Sequence, residues 1–117
     1  MNSTTNSPFR GPGGMIIALV GYGKMGKTIE GIALQRGHSI GLKIDIDTVD
    51  SFTKENLTKC DVAIEFTGPH SAKENILQCI DAGIPVVSGS TGWLSDWNEV
   101  EETCKKKNGT LLYASNF

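Results

Sequence analysis

The sequence predicts an α/β fold, a parallel sheet with helices on both faces. Three observations carry this. Short apolar runs alternate with segments whose apolar residues recur at helical spacing, glycines fall where those segments should end, and a glycine-rich turn joins the first run to the first amphipathic segment.

In order, the first stretch, 1–14, is rich in Asn, Ser, Thr, Gly and Pro, lacks the apolar centre of a secretory signal, and is expected to be a disordered extension. "MIIALV" from Met15 is a continuous apolar run, as a strand buried on both faces requires. After the glycine turn, Met25, Ile29, Ile32 and Ala33 mark the buried face of a helix that Gly37 should close in left-handed conformation. "SIGLKIDI" is a second strand ending near Asp45 or Asp47, and the polar stretch 48–59 has room for a short helix. "DVAIEF" is a third strand; Ser71 and Glu74 form a capping box for a helix through Ala72, Ile76, Leu77 and Ile80 that Gly83 closes. "IPVVSGS" is a fourth strand. Ser95 is placed to cap a fourth helix with Trp97, Val100 and Cys104 on one face, and Gly109 should end it before a fifth strand, "TLLYA". Residues 15–117 are thus expected to form one domain.

The composition excludes several functions. No apolar run approaches the roughly 20 residues that span a bilayer, and a formal net charge of −2 with interspersed lysines offers no basic stripe for nucleic acid. Lys105 to Lys107 read as the basic end of a helix. Cys60, Cys79 and Cys104 are far apart without a CxxC pair, and read as small buried residues of a cytoplasmic protein, not as metal ligands. His38 and His70 have no nearby partner for catalysis.

"LVGYGKMGKTIE", residues 19–30, satisfies two nucleotide-binding patterns. As Gly21-x-Gly23-x-x-Gly26 it is the dinucleotide fingerprint of a Rossmann-type sheet; as Gly21-xxxx-Gly26-Lys27-Thr28 it is a P-loop, for which Glu65 at a strand end would help to hold magnesium. The dinucleotide reading also needs an acid about 20 residues beyond the loop to bond the adenosine ribose, and Asp45 meets that demand. A carboxylate there favours NADH over NADPH, against which Lys43 and Lys24 pull.

Three further segments, "IEFTGP" (64–69), "VVSGSTGW" (86–93) and "YASNF" (113–117), settle the choice. Together with the glycine loop they resemble, over residues 15–117, the N-terminal part of 4-hydroxy-tetrahydrodipicolinate reductase, an NAD(P)H-dependent enzyme of lysine and diaminopimelate biosynthesis. The resemblance implies a pyrophosphate cradle at Gly21, Tyr22, Gly23, Lys24, Met25 and Gly26, and cofactor contacts at Phe66 and Thr67. It implies that Gly89, Ser90, Thr91 and Gly92 lie near the nicotinamide, with Ala114, Ser115, Asn116 and Phe117 also touching the cofactor. Ser90 and Thr91 would supply hydroxyls there, while Trp93 reads as packing. The sequence departs from the family in its compact glycine loop, where Gly-x-x-Gly-x-x-Gly is frequent, in Glu65 for Asp, and in Ser90 for Thr. It ends before the substrate domain and the family's His-His-x-x-Lys motif, so no catalytic acid is assigned.

The implied reaction reduces 4-hydroxy-tetrahydrodipicolinate, a heterocyclic dicarboxylate, to tetrahydrodipicolinate in a cytoplasmic homotetramer. The isolated chain is expected to bind dinucleotide weakly or not at all and to lack reductase activity. Two alternatives remain open: another Rossmann dehydrogenase of the homoserine or aspartate dehydrogenase type, and a non-catalytic dinucleotide-binding module.

Overall fold

The computed structural model describes residues 14–114. Five strands, β1 (Ile16–Val20), β2 (Ser39–Ile44), β3 (Val62–Glu65), β4 (Val86–Ser88) and β5 (Leu111–Tyr113), form one parallel sheet in the order β2-β1-β3-β4-β5. Four helices connect them: α1 (Lys24–Gln35), α2 (Lys54–Leu57), α3 (Ala72–Ala82) and α4 (Trp97–Lys106), with 3₁₀ turns at Val49–Ser51 and Leu94–Asp96. The expected N-terminal extension, apart from Gly14, and the site residues Ser115, Asn116 and Phe117 lie outside the described residues.

The alternation of β1 explains the layering. Ala18 and Val20 point into the larger core, built with Ile76, Ile80 and Val100 of α3 and α4, while Ile17 and Leu19 point to the other face, where Ala33 and Ile29 of α1 meet them. A strand covered on both sides must be apolar throughout, and β1 is buried from Ile17 to Val20. The second face thins towards β5, where Leu112 is 60% exposed.

The register brings the strand ends level. Val20 lies opposite Ile44 on one side and Glu65 on the other, Glu65 opposite Ser88, and Ser88 opposite Tyr113. All loops that leave this edge therefore start from one row. The chain leaves β1 towards β2 on one side and returns at β3 on the other, so strand order reverses between β1 and β3. Above such a switch point the loops diverge and open a crevice.

Four local expectations need correction. Ser71 precedes α3 but its side chain caps nothing. Its backbone is near-helical (φ −112°, ψ −19°) instead of extended, so the hydroxyl cannot fold back onto the first turn; Ser71 N and Ala72 N both donate to Gly68 O instead. Ser95 falls inside the Leu94–Asp96 turn, which leads into α4 directly, and Asp96 occupies the capping position without a side-chain hydrogen bond. At the end of α4 the left-handed residue is Asn108 (φ 57°), not Gly109, in keeping with the tolerance of asparagine for that conformation. On α1, Met25 and Ile32 are 42% and 47% exposed, because the helix approaches the sheet through the small residues Gly26 and Ala33. The left-handed stops at Gly37 (φ 87°) and Gly83 (φ 84°) are as expected.

Cys60 and Cys79 are buried and Cys104 is intermediate. Burial first, then the neighbouring Glu65, pushes the Cys79 thiol up to about 12. The thiolate is the reactive species, so iodoacetamide at pH 8 should modify Cys104 first and leave Cys79 unmodified until the chain is denatured. Peptide mass spectrometry over a time course checks this.

Candidate functional site

The glycine loop sits at the β1 end of the crevice. Gly21 has φ 109°, and a Cβ built there would lie 2.1 Å from the backbone oxygen of Phe66; one at Gly26 would lie 2.4 Å from Gly21 O. These two glycines let three chain segments meet. Gly23 differs: a Cβ there would meet nothing within 4 Å. Its lack of a side chain serves no packing within the domain and leaves the backbone open to a ligand.

Gly23 is also the N-cap of α1, with no side-chain cap and no acid in the first turn. The first amides of a helix have no intrahelical acceptor, and the helix dipole adds partial positive charge, which makes this end attractive to an anion. Lys24 and Lys27 in the first turn add to that field. Thr28, the P-loop magnesium ligand by sequence, donates its hydroxyl to Lys24 O, 3.1 Å away on the helix.

Two adjoining cavities flank the loop and share Gly23, Phe66 and Thr67. The larger, about 670 Å³, runs along Gly21, Tyr22 and Gly23 to the loop after β2, where Asp45, Ile46 and Val49 line it. The smaller, about 440 Å³, lies between Lys24, Met25 and Gly26 on one side and Gly89, Ser90 and Thr91 on the other. The residues singled out in four separate sequence segments thus converge on one trough. Ala114 does not line it; its amide donates to Ser88 O (3.1 Å) beyond the end of β5.

Asp45 holds its own loop. Its Oδ1 accepts from Asp47 N (2.9 Å) and from the Thr48 hydroxyl (3.2 Å), and that hydroxyl accepts from Asp45 N (2.8 Å). The carboxylate is thereby fixed at the mouth of the larger cavity. Lys43, expected to offset its charge, is engaged elsewhere. Its ammonium pairs with Glu30 at 2.9 Å and lies over the Tyr22 ring, 5.1 Å from the centroid, while the Tyr22 hydroxyl donates to the same carboxylate. The Tyr22 bond and then Lys43 lower the Glu30 pKa; Glu30 in turn raises those of Tyr22 and Lys43.

Glu65, the candidate metal acid of the P-loop reading, does not face the crevice. It is fully buried, and its carboxylate accepts from the Ser88 hydroxyl (2.7 Å), the Ser90 hydroxyl (2.7 Å), Thr67 N (3.0 Å) and the Thr67 hydroxyl. Ser90 consequently differs from expectation: it lines the smaller cavity, but its hydroxyl turns inward onto Glu65 and accepts from Thr67 N (2.8 Å). Trp93 is fully buried, as a packing role requires, and donates from Nε1 to Ser90 O (3.0 Å).

Sequence reasoning missed the internal role of Glu65, the Tyr22–Glu30–Lys43 cluster and the apolar wall of the larger cavity at Ile44, Ile46 and Val49. Glu65 and Lys43 carried a signal, as charges inside apolar runs. Among the described residues no helix is long and apolar enough to cross a membrane, and no group of three or more His, Cys, Asp or Glu side chains is placed to hold a metal ion.

A parallel sheet with a strand-order reversal, a glycine turn leading into an uncapped helix and a trough across that turn define a Rossmann-type domain of the dinucleotide-binding class. A homoserine dehydrogenase from a hyperthermophilic archaeon, solved in complex with NADPH, superposes with a TM-score of 0.62 at 16% identity, over 87% of this chain and 44% of that one, which shows the shared fold. Residues 15–117 match the family model described as dihydrodipicolinate reductase, N-terminus. The 4-hydroxy-tetrahydrodipicolinate reductase of Christiangramia forsetii is 48% identical over 103 residues, 88% of this chain and 42% of that protein. The enzyme of the same name from Neisseria meningitidis serogroup B is 30% identical over 91 residues, 75% of this chain and 32% of that protein. The chain belongs to the dihydrodipicolinate reductase N-terminal family and spans less than half the length of these relatives.

Proposed function

We propose that the chain is the NAD(P)H-binding part of a reductase that converts 4-hydroxy-tetrahydrodipicolinate to tetrahydrodipicolinate in lysine and diaminopimelate biosynthesis. The observation that carries this is the open space above Gly23 at an uncapped helix end, in a chain whose family match covers residues 15–117. A pyrophosphate fits there, held by the backbone amides of Gly23 to Gly26. Asp45 would accept from the adenosine ribose hydroxyls, and Ile44, Ile46 and Val49 offer an apolar wall to the adenine. The smaller cavity, edged by Phe66, Thr67, Gly89, Ser90 and Thr91, would take the nicotinamide end. By family resemblance Ala114, Ser115, Asn116 and Phe117 add to that end.

A reduced nicotinamide held in this trough would supply hydride chemistry. This chain's residues would orient the ring, and by the family resemblance the proton donor, the dicarboxylate contacts and the homotetramer interface would lie in the part of the reductase relatives that this chain does not match. Within the trough we favour NADH over NADPH, since a 2′-phosphate would face the Asp45 carboxylate, Lys43 is paired with Glu30, and Lys24 lines the opposite cavity.

Titration of the ¹⁵N-labelled chain with NADH should give weak, saturable shifts centred on Gly21 to Gly26 and Asp45. D45N should raise NADPH affinity relative to NADH on the order of tenfold, the effect of about 1.4 kcal/mol of relieved repulsion. Shifts confined to other residues would overturn the assignment.

A further inference from the structure

The loops after β3 and β4 form one wall of the smaller cavity, and they share an internal tie. A carboxylate is acceptor-only, with about four lone-pair sites. Glu65 meets four donors: the Ser88 hydroxyl on Oε1, and the Ser90 hydroxyl, Thr67 N and the Thr67 hydroxyl on Oε2. Oε2 thus links position 67 on one loop to position 90 on the other. The link extends outward, with Asn75 Nδ2 of α3 donating to Thr67 Oγ1 (3.2 Å) and Trp93 anchoring Ser90 O. Among the described residues no buried side-chain nitrogen or oxygen lacks a hydrogen-bond partner.

Such a carboxylate is costly to bury, and serine or an apolar residue at position 65 could end the strand without that cost. Of its partners, Ser90 lines only the smaller, nicotinamide-side cavity, while Thr67 lies where the two cavities meet. Asp45 and the glycine turn are held by other contacts: Asp45 by Asp47 and Thr48, and Gly21 N by donation to Ile44 O (2.8 Å). We propose that Glu65 is a positioning residue that fixes Thr67 and Ser90 as one rigid wall, and so sets affinity for the nicotinamide half of the dinucleotide more strongly than for its adenosine half.

This rests on the dinucleotide reading, and the test separates the two. The 117-residue chain, E65Q and E65D are each titrated by NMR with NADH and with ADP-ribose, which lacks the nicotinamide. E65Q turns an amide NH₂ towards donors and should weaken NADH about tenfold while ADP-ribose stays within about twofold. Hydrogen exchange at Thr67 N should quicken without ligand. E65D, which keeps the carboxylate, should restore both the protection and most of the NADH affinity. If E65Q binds NADH as the unsubstituted chain does, or loses both ligands in step with a fall in Tm, the positioning role fails. If the unsubstituted chain saturates with neither ligand, the dinucleotide reading fails and the role with it.

Discussion

Gly21→Ala should destabilise the domain severely, whereas Gly23→Ala, two residues away, should leave it folded and disable the site. At Gly21 two costs combine. The conformation at φ 109° is one that side-chain-bearing residues rarely adopt, costing about 1–3 kcal/mol. The added methyl would also sit 2.1 Å from Phe66 O, a backbone atom that cannot move without displacing the end of β3. A combined loss of roughly 3 kcal/mol or more is a large part of the roughly 5–15 kcal/mol that holds a domain folded, and in a chain this short it should lower Tm by about 15 °C or more. At Gly23 the methyl meets nothing, so only the capping preference changes, by no more than about 1 kcal/mol. It would project into the space assigned to the pyrophosphate, and NADH affinity should fall by more than about tenfold. Thermal melts and NADH titrations on both variants check the pair. A Gly23→Ala chain that binds normally would remove the phosphate from this loop.

The contrast shows which parts of the fold were legible in the sequence. The glycine motif gave the loop and its neighbours, since a turn at a strand-to-helix junction is written locally in Gly21, Gly23 and Gly26. All five strands were also legible: burial on both faces demands apolar runs such as "MIIALV" in the middle of the sheet, and β2 and β5, each with exposed residues, still read as short apolar runs between turns. Helix starts were less legible. Ser71 and Ser95 have the composition of caps, but whether a hydroxyl caps depends on its backbone angles, and the turns from Gly68 and from Trp93 decide those. Exposure on α1 was misjudged for a similar reason: periodicity identifies an apolar stripe, while the width of the stripe that is buried depends on how closely the helix approaches the sheet.

The site divides in the same way. The place of Asp45 at the trough was legible from its distance along the chain from the loop, since β2 must return beside β1 and end level with it. The state of Lys43 was not readable, because its pairing with Glu30 spans α1 and β2. The inward turn of the Ser90 hydroxyl was hidden too, for it depends on a buried acid twenty-five residues earlier.

Trp93→Ala should unfold the chain or leave it marginal, an effect as large as that of Gly21→Ala but by loss of packing instead of overlap. The indole is fully buried, 5.7 Å from the Trp97 ring and 5.3 Å from the Tyr113 ring in a T-shaped contact, so it joins the β4 loop, α4 and β5. Truncating a buried tryptophan costs about 3–5 kcal/mol, and aromatic pairs of this geometry add about 0.5–1.5 kcal/mol each. Trp93→Phe separates the contributions. It keeps much of the ring contact but leaves Ser90 O without its Nε1 donor, which should cost about 1–3 kcal/mol. Ser90 is also where the loop meets Glu65, so the phenylalanine variant should show faster hydrogen exchange at Thr67 while β1 and β2, on the far side of the sheet, keep their protection. Urea denaturation gives the first quantity and amide exchange the second. Equal loosening across all five strands would mean that Trp93 supports the core as a whole and not the wall of the site.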